Sequence, residues 1–421
     1  MNMKVRMHTS FFSNRLSTAL CLFLFIQGCS FFGGDEEEAF DVPAELVDFT
    51  PMLDVNRVWK TSIGKGHEGQ DLMLRPDTDG ETIYAASFDG NVMAINMKSG
   101  KRLWRENFDM AFTAGPTYRN GILVLGTNDG ELLSLDSMTG EIIWMSEVTS
   151  EVLAPVAIKD DSIFVRSVDG NLASYSASDG TVEWTSSHDV PRLSLRGTSA
   201  PVVISNAVIC GFDDGKVTAY DLTDGSLLWE TMLTPPGGRT EIEKVSDIDA
   251  PLVIFGNEVY AGSYQGALTA LAIESGNIIW STEASLYSGM DVDDDVVYAS
   301  EADGTIRAFS RFTGREVWKK ETLLHRYPSA PAIVGDAIVI GDLEGYLHWL
   351  NKEDGEVLQR TSIGSDKITS SPLVIGDSIY VQTDGGNLFS VKAPNQSSRS
   401  VSYTHLRAHG DRTRSRMPSS A

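Results

Sequence analysis

A glycine followed fourteen residues later by a tryptophan recurs at Gly90 and Trp104, Gly130 and Trp144, Gly170 and Trp184, Gly215 and Trp229, Gly266 and Trp280, and Gly304 and Trp318. A seventh copy runs from Gly345 to Gln359, with Gln in the Trp place. Between the two ends lies an apolar run and a Ser/Thr/Asp-Gly turn, so each copy reads as two short strands joined by a tight hairpin. About fourteen residues before the first glycine stands a proline: Pro76, Pro116, Pro155, Pro201, Pro251, Pro331 and Pro372, with Met290 in the sixth place. After each comes another apolar run, such as 122–125 or 163–165, and a turn that is usually Asp-Gly. One repeat is therefore four short antiparallel strands in about 40 residues, the period and strand count of a propeller blade. Unrelated hairpins in a sandwich would not keep a constant spacing.

The Trp places number eight: Trp59, Trp104, Trp144, Trp184, Trp229, Trp280, Trp318 and Gln359. The last front half, 372–391, has no Trp half after it, and Trp59 has no front half before it. The two fragments complete each other. The expected fold is all-β, an eight-bladed β-propeller of four-stranded antiparallel blades, its ring closed by the N-terminal strand. Closure removes the sheet edges that an open array would leave. The Trp side chains are expected between neighbouring blades, as core.

The chain before and after the repeats is different in kind. Residues 1–28 carry Lys4, Arg6 and Arg15 ahead of an apolar stretch, 16–26, too short to cross a bilayer as a helix. The stretch ends Gln27-Gly28-Cys29 and resembles a bacterial lipoprotein signal. That resemblance implies cleavage before Cys29 and lipid attachment on it. Ser30, where an Asp would favour retention at the inner membrane, implies the outer membrane, with the protein on its periplasmic face. Several acyl chains together anchor stably. Residues 29–54 then read as the lipidated Cys and a flexible acidic tether, with Asp35-Glu36-Glu37-Glu38 at its centre. The propeller is expected over 55–396. Residues 397–421 are rich in Ser and Arg, show neither period, and follow a ring that is already closed. They are expected to be a disordered, non-native tail.

The net charge is −24; residues 1–28 contribute +3 and those after Gln396 contribute +4, leaving −31 for 29–396. A surface this acidic excludes nucleic acid and anionic lipid headgroups as partners of the ring itself. Beyond the signal the cysteines are Cys29 and Cys210, and Cys210 reads as a small buried hydrophobe. The four histidines of the ring, His67, His188, His325 and His348, have no metal-ligand spacing. The acidic run 291–295 lacks the ligand pattern of a calcium loop. No catalytic constellation and no cofactor are expected.

Blade interiors are nearly constant, whereas the gaps from Trp place to next Pro place run 17, 12, 11, 17, 22, 10, 13 and 13. The connections after Trp184 and Trp229 are thus additions on a fixed scaffold, consecutive and on one face, where binding tends to lie. The first holds Arg192-Leu193-Ser194-Leu195-Arg196-Gly197, and the second is an acidic stretch, 240–249. Apolar anchors beside arginines and a charged rim are the makings of a protein interface.

The repeat Ala/Ser-x-Asp/Asn-x-x-Ser/Thr/Asp-Gly-x-x-x-Trp is similar to the PQQ-type propeller repeat. Together with Cys29, the stretches 193–197 and 246–249, and two others at 323–326 and 341–347, it resembles the BamB family, lipoprotein scaffolds of the outer-membrane β-barrel assembly machine. The resemblance covers 29–391. It implies no enzymatic activity, and a propeller that binds the periplasmic POTRA domains of BamA and assists folding and insertion of β-barrel outer-membrane proteins, some of which it could meet unfolded. The residues it carries over are Leu193, Leu195 and Arg196 in the first connection and Asp247 and Asp249 in the second. Two alternatives share the repeat: a periplasmic propeller that binds some other protein, and a PQQ-dependent dehydrogenase. The dehydrogenases are alike in an adjacent Cys-Cys pair over the quinone, which this chain lacks.

Overall fold

The computed structural model describes residues 42–70, 72, 74–191, 197–233 and 247–392. Over these the chain forms eight four-stranded antiparallel sheets. Seven are built from consecutive strands, blades 1 to 7 covering 77–107, 112–147, 157–187, 202–232, 253–283, 286–320 and 332–362. The first strands of successive blades touch one another, so they line the axis and the fourth strands form the rim. The expected eight-bladed ring is what the residues fold into.

Closure also follows the expectation. Blade 8 takes three strands from 373–392 and its fourth from the other end of the chain: Asn56–Ser62 pairs antiparallel with Asn387–Lys392. Apolar clusters fill the spaces between sheets, blade 8 meeting blade 1 through Tyr380, Leu388, Ile83, Ile95 and Trp59.

Seven of the eight tryptophans are joints between two blades. The indole N–H of Trp59, Trp104, Trp144, Trp184, Trp229, Trp280 and Trp318 donates to a backbone carbonyl of the following blade, that of Met97, Ser137, Ala177, Leu222, Ile273, Arg311 and Lys352 respectively. The ring lies against the turn glycine a few residues further on. At Gly100, φ is +68°, and a Cβ there would come 2.6 Å from the Trp59 ring. Glycine is needed twice over at this turn, for its backbone and for the indole.

The recurrent proline has an equally local reason. The first strand of a blade is a sheet edge, so a missing N–H breaks no ladder bond. Pro76, Pro116, Pro155 and Pro251 line a central cavity of about 330 Å³ to which all eight blades contribute. In blade 6 Met290 stands in the proline place, and Asp291 beside it accepts the Ile333 N–H of blade 7 at 2.8 Å. Asp77, beside Pro76, accepts the Tyr118 N–H of blade 2 in the same way at 2.8 Å. Asp293 accepts the Asp295 and Val296 amides of its own turn and pairs with Lys352 at 2.5 Å. The acidic run 291–295 is thus employed in joining blades and closing a turn.

One expected boundary needs correction. The tether is expected to be flexible to residue 54, but its part from Pro43 to Asp54 is laid against blade 7. The Ala44 amide donates to Leu324 O at 2.9 Å, Arg326 Nη1 donates to Ala44 O at 3.1 Å, and Arg360 Nη2 donates to Val47 O at 3.1 Å. Leu53 and Val55 pack on the blade 7 and 8 core. Composition suggested a solvated spacer; two arginines and an apolar groove, none of them near it in sequence, decide otherwise. Cys29, the tether core 29–41 and the tail 397–421 lie outside the described residues.

Candidate protein-docking site

The two long connections leave blades 3 and 4 from their rim strands, Val182–Ser187 and Leu227–Met232, and lead to the inner strands of blades 4 and 5. The described ends of both therefore lie on the face that also carries the Asp-Gly turns. Leu193, Leu195 and Arg196 are outside the described residues. Asp247 and Asp249 are inside them, and both are buried, at 0% and 1% exposure. A carboxylate so placed cannot itself meet a basic group arriving from outside. What it can do is hold the connections.

Asp249 joins the two directly. Gly197, where the first connection becomes described again, lies on the Asp249 carboxyl: a Cβ at 197 would come 2.6 Å from its Cγ. One step on, the Ser199 hydroxyl donates to the Ala250 carbonyl at 3.1 Å. The Asp247 carbonyl accepts the Tyr264 N–H at 2.9 Å, tying this segment to the turn of blade 5. Neither carboxyl oxygen of Asp249 has a hydrogen-bond partner. Burial, and then the neighbouring charges of Asp213 and Asp247, push its pKa up to about 8, with Arg166 working in the opposite sense.

Around this pair lies a polar network that sequence reading did not find. Arg166, at the end of the strand Ser162–Arg166 of blade 3, donates through Nη2 to Asp213 in the turn of blade 4. Its guanidinium sits 4.7 Å from the centre of the Phe212 ring, on which His188 stacks at 3.9 Å. His188 Nε2 and Asp214 hydrogen bond at 3.0 Å, and Lys216 bridges Asp214 and Glu230, each at 3.1 Å. Asp214 is held below the usual carboxylate range: burial alone would raise it, but His188 and Lys216 more than offset that. A signal was present in the repeat. Four residues before the turn glycine, where blade 3 has Arg166, the other blades have Ala86, Gly126, Gly211, Gly262, Ser300, Gly341 and Gln382.

Two further stretches singled out in the sequence also meet. Arg326 Nε donates to Asp342 Oδ2 at 2.9 Å, and His348 shares the same oxygen at 3.0 Å. Burial and then the charges of Arg360 and Arg326 lower the His348 pKa, though its bond to Asp342 works the other way. This buried group holds the Ala44 carbonyl and so the segment that begins there, away from the two long connections. Cys210 is fully buried, and burial raises its thiol to about 12, the small inert hydrophobe that was expected. Among the described residues no group of His, Cys, Asp or Glu could hold a metal ion.

The family model described as "Outer membrane protein assembly factor BamB" matches residues 88–320 and 302–421. The protein of that name from Pseudomonas aeruginosa is 47% identical over 369 residues, covering 88% of this chain and 96% of the relative. That from Escherichia coli is 33% identical over 378 residues, covering 87% and 95%. Among solved structures, BamB from Moraxella catarrhalis superposes with a TM-score of 0.73 at 28% identity, covering 80% of this chain and all of the other. The quinohemoprotein alcohol dehydrogenase of Comamonas testosteroni superposes with a TM-score of 0.66 at 12% identity, covering 80% and 76%, which is a likeness of fold alone. With the repeat architecture shared and this level of identity over most of both chains, the chain belongs to the BamB family of outer membrane protein assembly factors.

Proposed function

We infer that this chain is a scaffold, not an enzyme, that serves outer-membrane protein assembly by docking the POTRA domains of BamA on the face built from its two long connections. It associates with the outer membrane through a lipid on Cys29, on the periplasmic side. The observation that carries the docking reading is the joint at Asp249. Two consecutive long connections, of 17 and 22 residues from Trp place to Pro place where, apart from the 17 between Trp59 and Pro76, the other junctions take 10 to 13, rest on one another through Gly197, Asp249, Ser199 and Ala250. A fixed base under variable loops is how a rigid scaffold presents a recognition surface. Leu193 and Leu195 supply apolar anchors and Arg196 a charge-assisted hydrogen-bond donor. Asp247 and Asp249 act from beneath.

The test is titration of isolated BamA POTRA domains with Leu195→Ala and Arg196→Ala, melting curves run alongside. Hot spots cost about 2 kcal/mol or more, roughly 30-fold in affinity. Both variants are expected to lose about that much and to melt as the parent does. Exposed Lys98, in a turn on the opposite face, is the control. Normal binding by both loop variants would move the interface elsewhere on the ring.

A further inference from the structure

Blade 3 breaks the repeat at one buried place. Where Gly126, Gly211, Gly262 and Gly341 stand in other blades, an added Cβ would press on Val152, Ile248, Leu286 or Ile368, the aliphatic side chain with which the following connection roofs the blade. At the same place blade 3 buries Arg166 to 1% exposure. A guanidinium is a costly way to fill space, since its hydration is lost, so its neighbours have to explain it.

Those neighbours are acidic. Asp213, Asp247 and Asp249 are buried at 4%, 0% and 1% exposure, and among the described residues Arg166 is the cation whose field bears on Asp249. Lys216 is engaged farther out, by Asp214 and Glu230, with His188 on the same two carboxylates. The pairing at the centre is incomplete on both sides. Arg166 Nε and Nη1 have no partner, and neither do the two Asp249 oxygens.

Resting on the docking reading above, we propose that Arg166 is a positioning residue for the partner: its charge keeps Asp213 and Asp249, and through them the bases of both long connections, in the arrangement the partner meets. Without that charge, buried carboxylates face one another. They relax by taking up a proton or by turning toward water, and either response moves Asp249, on which Gly197 lies, and the neighbouring Ser199–Ala250 bond. Arg166 itself touches no partner. The arrangement it favours is the one with Asp249 ionised, so affinity rises with pH as that carboxyl loses its proton, around pH 8.

The experiment uses the whole chain and isolated BamA POTRA domains, with dissociation constants measured from pH 6 to pH 9 beside melting curves. Arg166→Met is expected to bind about 30-fold more weakly at pH 7. Arg166→Lys, which keeps the charge, is expected to return to within about fivefold of the parent. Arg166→Gln, the residue blade 8 carries at this place, substitutes for the Met variant should that one fail to fold. In the parent, affinity climbs with pH through about 8; in the Met or Gln variant the midpoint moves upward, and in Asp249→Asn the dependence disappears. A merely structural arginine would lower the melting temperature and leave the midpoint unmoved. Parent-like binding by a folded Met or Gln variant overturns the proposal, as does an unshifted midpoint. Absence of binding by the parent chain overturns the docking reading, and this one with it.

Discussion

Gln359 Nε2 donates a hydrogen bond to the backbone carbonyl of Leu53 at 2.7 Å, from the place that a tryptophan holds in every other blade. In those blades the indole bonds a carbonyl just before the turn between the third and fourth strands of the next blade, and lies on that turn's glycine. Blade 8 has no such turn, because its third and fourth strands come from opposite ends of the chain. There is no glycine for an indole to rest on, and the carbonyl offered belongs to the incoming N-terminal segment. The one departure at the Trp place thus marks the seam of the ring.

Gln359→Ala should therefore loosen the seam and little else. It removes one hydrogen bond and leaves the Leu53 carbonyl to find water, a loss of about 1 kcal/mol. Hydrogen exchange at the Met52 amide, which donates to Leu358 O at 2.8 Å, should quicken, while amides of blade 4 keep their protection. Gln359→Trp should be no better than alanine, although it restores the repeat.

Closure itself should be costly to undo. Trp59→Ala removes an indole that joins blade 8 to blade 1, and large-to-small core changes of this kind cost about 3–5 kcal/mol. Gly100→Ala attacks the same joint from the other side; a left-handed backbone alone costs a non-glycine residue about 1–3 kcal/mol, and the Trp59 ring must move as well. Thermal unfolding of both variants checks this, and an unchanged melting temperature for either would mean that the ring is held shut elsewhere.

Stability should fall as pH rises where Asp249 is concerned. Its folded-state pKa, about 8, lies above the ordinary carboxylate value. Between the two the folded chain holds a proton that the unfolded chain has released, so the folded state weakens with rising pH across that window. Asp249→Asn removes the penalty. It should gain a few kcal/mol of stability at pH 8 and nothing at pH 4, with melting curves at the two values as the measure. Asp342 works in the opposite sense. Burial raises its pKa, but the bond and charge of His348, the Tyr346 amide and Arg326 together bring it below normal, so its contribution is present at neutral pH and is lost in acid.

Cys29→Ser should give a folded ring that no longer fractionates with outer membranes when BamA is absent. A variant that stayed with the membrane under those conditions would exclude the lipid anchor.

What the sequence determined by itself was whatever repeats. A fourteen-residue interval that returns in seven of the eight blades sets the strand count, the Asp-Gly turns and the Trp joints, because each is a local matter of hairpin geometry and of one blade meeting a like one next to it. Even the closing strand was legible, since two incomplete repeats can only complete each other. The two long connections stood out as lengths for the same reason. Tertiary structure decided everything that joins unlike parts. Residues 43–54 look like a spacer until Arg326 and Arg360, some 280 and more residues away, take hold of their carbonyls. Asp247 and Asp249 read as rim charges, because acidic residues in a connection usually are; their burial depends on Gly197 and on a neighbouring blade. Arg166 pairs with Asp213, 47 residues later, in the next blade. No local pattern records such a pairing, for burial and charge balance are properties of what the fold brings together.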